Sequence, residues 1–416
     1  MYRRIQNTYH NFPRQFWLMF VGMLISTIGA SIIWPFLLVY VSEQLDSPLS
    51  AIASLLTLNS IMGLISSFIG GPVIDRVGRK WVMVASLASN GLAYLFMGRA
   101  ETLGQFALLM SITGAVNPLY RTGADAMMAD LVPAEKRIDA YALLRLSNNL
   151  GISIGPAIGG FVTSSSFSLA FSLATIGMVT YSLLLALFAR ETLPSKQPAS
   201  ISTQPTQQRG KEKFGGYPEI FRDHNFMGFI VAFTMVSVCA TLIWVLLPVQ
   251  ATQIYNVPKQ LYGFIPTTNA IMVVVFQLFV TKITKRFPPL PVAASGAFFY
   301  SIAVGGIAFM HDFWGFWICM VTMTIGELII VPTSSTYVAN LAPQDKRGRY
   351  MSLFALTWGV AAGVGPLFGG ILNDIFGPSA IWLGGSIVGA IGMLFFLYLD
   401  KRYRNSQRPQ LIRPVG

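Results

Sequence analysis

Residues 50–70 contain no charged side chain, and neither do residues 81–98. Between them stands a dense charged turn, Gly71-Pro-Val-Ile-Asp75-Arg76-Val-Gly78-Arg79-Lys80. At about 1.5 Å of rise per residue, some twenty apolar residues in a helix cross the roughly 30 Å of hydrocarbon in a bilayer. Backbone groups in lipid must satisfy one another, so two such runs joined by a short basic turn form a helical hairpin across a membrane. The rest of the chain has the same character. Of its 416 residues 53% are hydrophobic and 11% charged, where a soluble domain carries about 25% charged residues. A barrel would alternate in segments of about ten residues, and no such alternation is present.

Twelve spans are predicted, at residues 15–40, 50–70, 81–99, 103–128, 139–163, 168–189, 226–250, 260–281, 291–310, 314–338, 348–372 and 379–399. The formal charge of +12 follows their arrangement. If residues 71–80 face the cytoplasm, every Lys and Arg falls in a cytoplasmic segment except Arg99, Lys259, Arg121 and Arg145. Both termini are then cytoplasmic, in the inner or plasma membrane of a bacterial cell. No basic domain is left over for nucleic acid. Cys239 and Cys319 lie inside apolar runs and read as packed residues. There is no His/Cys cluster for a metal and no phosphate-cradling Gly-x-x-x-x-Gly-Lys-Ser/Thr loop, so neither a metal, a cofactor nor ATP drive is expected, and the chain is not read as an enzyme.

Residues 190–224, rich in Pro, Ser, Thr, Gln and charge, read as a cytoplasmic linker with one short helix near residues 217–222. They divide a first half, residues 1–189, from a second, residues 225–402, followed by a tail, 403–416. The halves repeat. Ala129-Asp-Leu-Val-Pro-Ala-Glu-Lys-Arg137 leads into Gly155-Pro156-x-x-Gly159-Gly160, and Ala339-Asn-Leu-Ala-Pro-Gln-Asp-Lys-Arg347 leads into Gly365-Pro366-x-x-Gly369-Gly370. Both stretches recur at an offset of about 210 residues, long enough to mark a duplicated helical unit. A worn copy of the charged turn follows at residues 277–286, with Thr281 in place of Asp75 and Thr284 in place of Gly78. Two six-helix halves with a site between them near the midplane is a transporter architecture.

The turn Gly71-x-x-x-Asp75-Arg76-x-Gly78-Arg79-Lys80, its place after the second span and the half-chain repeat resemble the major facilitator superfamily over nearly the whole chain. That resemblance implies an all-α integral membrane fold of twelve transmembrane helices in two pseudo-symmetric six-helix bundles. It also implies secondary transport by alternating access. Gly151-x-x-x-Gly155-Pro156-x-x-Gly159-Gly160 in the fifth span is similar to the signature of proton-coupled drug antiporters, although Ala142 replaces its distant upstream glycine and Met110 stands where the fourth-span arginine of such antiporters is expected.

Ionisable groups inside spans are costly and usually functional. Glu327 lies about halfway along the tenth span, where a carboxyl held out of water is suited to binding and releasing a proton. The other reading is a neutral Glu hydrogen-bonded to a neighbouring helix. Asn117, one repeat earlier, is expected to face the same cavity, near Tyr120. Arg121 and Asp125 have the i, i+4 spacing that lets side chains pair, and Arg145 lies at similar depth with Asn148 beside it. These groups read either as a neutralised structural cluster or as coupling and substrate contacts, and Met323 is added as a substrate contact. The proline-glycine segments read as hinges or as close packing. Asp75 is expected beside residues 348–353 at the start of the eleventh span, where a helix dipole is positive. Arg79 is expected to reach Asp130. Together they would form a gate between the halves. The function expected is proton-coupled export of small lipophilic or cationic compounds by a monomer in contact with membrane lipids. Transport of a sugar, a metabolite or a lipid headgroup is the alternative, with a non-transporting receptor behind it.

Overall fold

The computed structural model describes residues 12–193, 217–343 and 346–407, and these contain helices and no strand. In the first half α1 is Arg14–Ile33, α2 Leu37–Gln44, α3 Leu49–Val77, α4 Arg79–Met97, α5 Leu103–Leu131, α6 Arg137–Ser165 and α7 Phe167–Phe188. The short α8, Tyr217–Phe221, precedes the second half: α9 His224–Val249, α10 Lys259–Tyr262, α11 Phe264–Thr284, α12 Pro289–Ile307, α13 Phe313–Leu341, α14 Arg347–Phe376 and α15 Pro378–Gln407. With α1–α2 and α10–α11 each forming one span, twelve spans result. They match the twelve apolar runs of the sequence. The expected linker between residues 194 and 216 lies outside the described residues.

Nine of these spans are long and apolar enough to cross a membrane by composition alone. The other three, α4, α5 and α6, are diluted by Arg79 and Lys80, by Arg121, Asp125 and Asp130, and by Arg137, Asp139 and Arg145. They pack as spans because their remaining faces are apolar. Side chains fix several helix starts. Thr102 and Gln105 form a capping box on α5, and Ser166, Asp223 and Asp312 accept first-turn N–H groups of α7, α9 and α13. Two breaks follow prolines. The first span passes through a tight turn at Trp34–Phe36 around Pro35, and the seventh widens over Gln250–Ile254 after Pro248.

The same helix pairs build both halves. In the first, α6 and α7 pack on α1, α5 packs on α3 and α4, and α7 packs on α4. In the second, α14 and α15 pack on α9, α13 packs on α11 and α12, and α15 packs on α12. This is the duplication seen in the sequence, folded twice. Between the halves, α3 lies along α14 and α6 along α11.

The glycine segments explain how the pieces come so close. A Cβ on Gly159 would lie 2.2 Å from the Ile32 carbonyl oxygen of its own half, and one on Gly160 2.4 Å from the Lys259 carbonyl oxygen of the other. In the second half Gly369 packs on Leu242 and Leu246 of α9, and Gly370 against Ser50 of the first half. Each copy thus turns one glycine inward and its neighbour across the interface. Gly155 packs on Ser31, Gly151 on Thr27 and Gly365 on Val238 and Thr241. Both α6 and α14 continue unbroken through Pro156 and Pro366.

Candidate functional site

Polar bonds join the halves on the side of the bundle away from the termini. Glu43 and Lys259 form an ion pair at 2.8 Å, and the Gln253 amide donates to Ser42 Oγ at 2.6 Å. The Asp374 carboxylate accepts the Leu49 and Ser50 N–H groups at 3.1 and 3.0 Å, capping the first turn of α3 from the end of α14. Deeper in, Thr57 donates to the Gly363 carbonyl at 2.6 Å and Thr267 to that of Ser153 at 2.9 Å. On the termini side α3 and α14 part. A Cβ on Gly71 or on Gly348 would meet nothing within 4 Å, and Phe68 is 72% exposed. Asp75 is exposed and makes no ion pair among the described residues. The expected contact of Asp75 with the start of α14 is therefore not made, because the cleft is open at that end.

The other expected contact of the charged turn is present. Arg79 Nε lies 2.8 Å from Asp130 Oδ2, tying α4 to the end of α5. Sequence reasoning missed its companion, Glu191, whose carboxylate accepts the Arg79 and Lys80 N–H groups at 3.0 and 3.1 Å. Gly78 turns the chain at φ 100°, and a Cβ there would lie 2.5 Å from Glu191 Oε2, so glycine is needed for conformation and for space. Arg76 is exposed, and the Lys80 ammonium sits 4.8 Å from the Trp81 ring.

At the closed end of the cleft is a cavity of about 300 Å³ lined by both halves. Trp34 and Pro35 come from the first span and Asn149, Ile152 and Pro156 from α6, while Trp244, Tyr262, Pro266 and Asn269 come from the second half. Glu327 is the one charged side chain among its lining residues. It stands at the centre of α13, fourteen residues from either end, about 21 Å by the helical rise. The Asn269 amide donates to Glu327 Oε2 at 2.8 Å and to Thr324 Oγ1 at 2.9 Å. Tyr300 packs beside it, its ring 2.7 Å from where a Cβ on Gly326 would stand.

One repeat earlier the same scaffold holds different groups. Asn59, 210 residues before Asn269, donates to Thr113 Oγ1 at 2.9 Å and to the Met110 carbonyl at 2.8 Å. Asn117, the counterpart of Glu327, accepts from Asn90, the counterpart of Tyr300, at 2.6 Å. Applying the offset to polar span residues would have found Asn59, Asn90 and Asn269 in the sequence.

The remaining sequence candidates do not join Glu327. Met323 is buried in the core of the second half and is not among the cavity's lining residues. Tyr120 packs edge-on against Tyr181 at 6.0 Å, within the first half. Asn148 accepts from Thr27 at 3.4 Å, and it is Asn149 that reaches the cavity. Arg121, Asp125 and Arg145 are exposed, and among the described residues no ion pair joins Arg121 to Asp125. The i, i+4 spacing places the two charges near one another, but an exposed pair gains little over hydration by water.

The family model of the Major Facilitator Superfamily matches residues 19–250 and 231–414. The chain belongs to the major facilitator superfamily. Across 414 aligned residues, 92% of this chain and 96% of the relative, it is 24% identical to a Na(+), Li(+), K(+)/H(+) antiporter of Planococcus maritimus. It is 20% identical to the multidrug resistance protein MdtH of Salmonella typhimurium over 97% of both chains. The crystal structure of a peptide transporter, POT, superposes with a TM-score of 0.76 at 16% identity, covering 94% of this chain and 95% of that one. That last likeness is one of fold. As a major facilitator the chain is a multi-pass secondary transporter of small molecules and ions, not an enzyme.

Proposed function

We propose that this transporter exports small lipophilic cations in exchange for protons, with Glu327 as the group that holds either. One observation carries the reading: a single carboxyl, oriented by Asn269, lines a cavity at the closed end of the cleft whose wall includes Trp34, Trp244 and Tyr262. Aromatic faces and one buried acid suit a cation with apolar surface. A proton and such a cation compete for the same carboxylate, so release of one favours binding of the other. Protonation then biases the balance between a cleft open toward the termini and one open on the far side. Arg121, Asp125 and Arg145 stand exposed on α5 and α6, available to a substrate on its way in. We place the termini in the cytoplasm and the protein in the inner or plasma membrane, on the distribution of Lys and Arg. The relatives named for antiport and for multidrug resistance support the direction of this reading.

The relative named for Na(+), Li(+) and K(+) raises a second reading, exchange of an alkali cation for protons. The cavity favours the first, since a bare cation needs a shell of oxygens and the wall here is largely aromatic and apolar. Purified protein in liposomes under an imposed pH gradient separates the two. Proton-driven uptake of a fluorescent lipophilic cation, lost in Glu327→Gln, is the expected result. Proton flux evoked by sodium or potassium but not by the dye would replace the first reading with the second. Unimpaired transport by Glu327→Gln at every pH would end both as written.

A further inference from the structure

A second cavity lies away from the cleft's blind end. It measures about 430 Å³ and sits on the termini side of the second half, where α11, α12, α13 and α15 come together. Its wall includes Thr281, Lys285, Phe287, Asn340, Asp400 and Tyr403. In the first half the corresponding region is filled by the chain itself. There Arg79 is held by Asp130, and the Glu191 carboxylate caps the first turn of α4.

The second copy has kept the cation and lost both acids. Lys285 stands for Arg79 in the repeated turn, but Asn340 replaces Asp130, and the position 210 residues after Glu191 is Lys401. The helix start that Glu191 caps is Pro288-Pro289 here, which offers no N–H to a carboxylate. Asp400 does not make up the deficit, because its carboxylate is paired with Arg404 at 2.8 Å. Lys285 makes no ion pair among the described residues, and Lys282 and Arg286 flank it. The cavity is thus left with one uncompensated positive charge, several hydroxyl donors and open space.

We propose that this cavity binds the phosphate headgroup of an anionic phospholipid, with Lys285 as its counter-charge. The headgroup fits by charge, since one phosphodiester supplies the partner that the Lys285 ammonium lacks, and the Thr281 hydroxyl lines the same cavity. The site lies at the ends of the helices, where headgroups sit. A lipid is favoured over free phosphate by the apolar flank. Phe287 on the rim is 59% exposed, and Leu278, one turn deeper on the same face of α11 as Thr281 and Lys285, is 84% exposed. An acyl chain can run along that face while the phosphate stays in the cavity. Basic pockets between spanning helices on this side of a membrane are suited to such headgroups.

The test is native mass spectrometry of the full chain in detergent, titrated with phosphatidylglycerol and with phosphatidylcholine. Phosphatidylglycerol is expected to be retained preferentially, and Lys285→Gln to weaken that retention about fivefold, the effect of one basic side chain near a charged headgroup. Lys401→Gln, exposed on the same side and outside the cavity wall, is expected to leave it unchanged. Equal retention of the two lipids by the parent protein would overturn the proposal, and that measurement needs no variant to fold. Equal losses in Lys285→Gln and Lys401→Gln would overturn it by showing general surface attraction only. Displacement of the lipid by millimolar inorganic phosphate would replace it with a site for soluble phosphate.

Discussion

The contact of Asp374 with the first turn of α3 gives the far-side closure a measurable strength. Its carboxylate accepts two N–H groups that have no partner within the helix, at 3.1 and 3.0 Å, and sits at the positive end of the helix dipole. A hydrogen bond to a charged group contributes about 1.5–3 kcal/mol and the dipole about 0.3–1 kcal/mol. Asp374 is exposed, however, so water competes for the same carboxylate once the halves part. Asp374→Asn keeps one carbonyl acceptor and removes the charge. A loss of about 1–1.5 kcal/mol is the expected balance, a shift of roughly five- to tenfold toward the form open on the far side. The shift can be read as a distance distribution between spin labels on Asp46→Cys and Ser379→Cys, both exposed, since the native Cys239 and Cys319 are buried and label poorly. The long-distance population is expected to rise by that factor. An unchanged distribution, with Glu43→Gln producing the opening instead, would show that the Glu43–Lys259 pair holds the closure and that capping by Asp374 adds nothing.

Gly78→Ala is expected to cost about 1–3 kcal/mol, because it places a Cβ in the left-handed region and into the Glu191 carboxylate, and the melting temperature of the purified protein should fall by several degrees. Glu219 is held below the ordinary carboxylate range by hydrogen bonding to Lys346 and by its charge. The contribution of an acid lowered in this way is complete above the unfolded value, about 4.3, and is lost as pH falls through the folded one, so the protection of amides in residues 219–223, relative to their intrinsic exchange at each pH, should hold down to about pH 5 and fall below about pH 4. Asn269→Ala removes the one amide donor seen on Glu327 and is expected to slow proton-driven transport about tenfold. Equal rates in the parent and in Asn269→Ala would make Asn269 a packing residue.

The spans, their number and the division into two halves were legible in the sequence because lipid allows little else for apolar runs of that length. The Arg79–Asp130 pair was legible too, since both residues lie at helix ends that a repeated motif brings together. Glu191 was not, because it opens a polar stretch that reads as linker and nothing in its neighbours marks it as a cap. Asp374 escaped for a related reason: an acid just past a glycine-rich span looks like a solvated end until the facing helix start is known. The contact expected for Asp75 belongs to a different class. A transporter sequence encodes the contacts of both its closed ends, and which of them is made depends on the state adopted.

Across the halves α3 lies along α14. The two helices run antiparallel, so each places its C-terminal end beside the N-terminal end of the other. Asp374 follows the Gly-Pro-x-x-Gly-Gly segment of α14 and caps α3 on the far side, while Asp75 stands at the end of α3, on the side where α14 begins. An acid at the end of either helix can therefore serve the other helix's free N–H groups, but one rigid pair of halves cannot close at both ends around an occupied cleft. In this structure Asp374 is engaged and Asp75 is free. If the two caps exclude each other, Asp75→Asn and Asp374→Asn should displace the spin-label distribution in opposite directions, and the double variant should return toward the parent. Displacement in the same direction by both would mean that Asp75 acts within its own half and that the reciprocal arrangement has no part in the change of state.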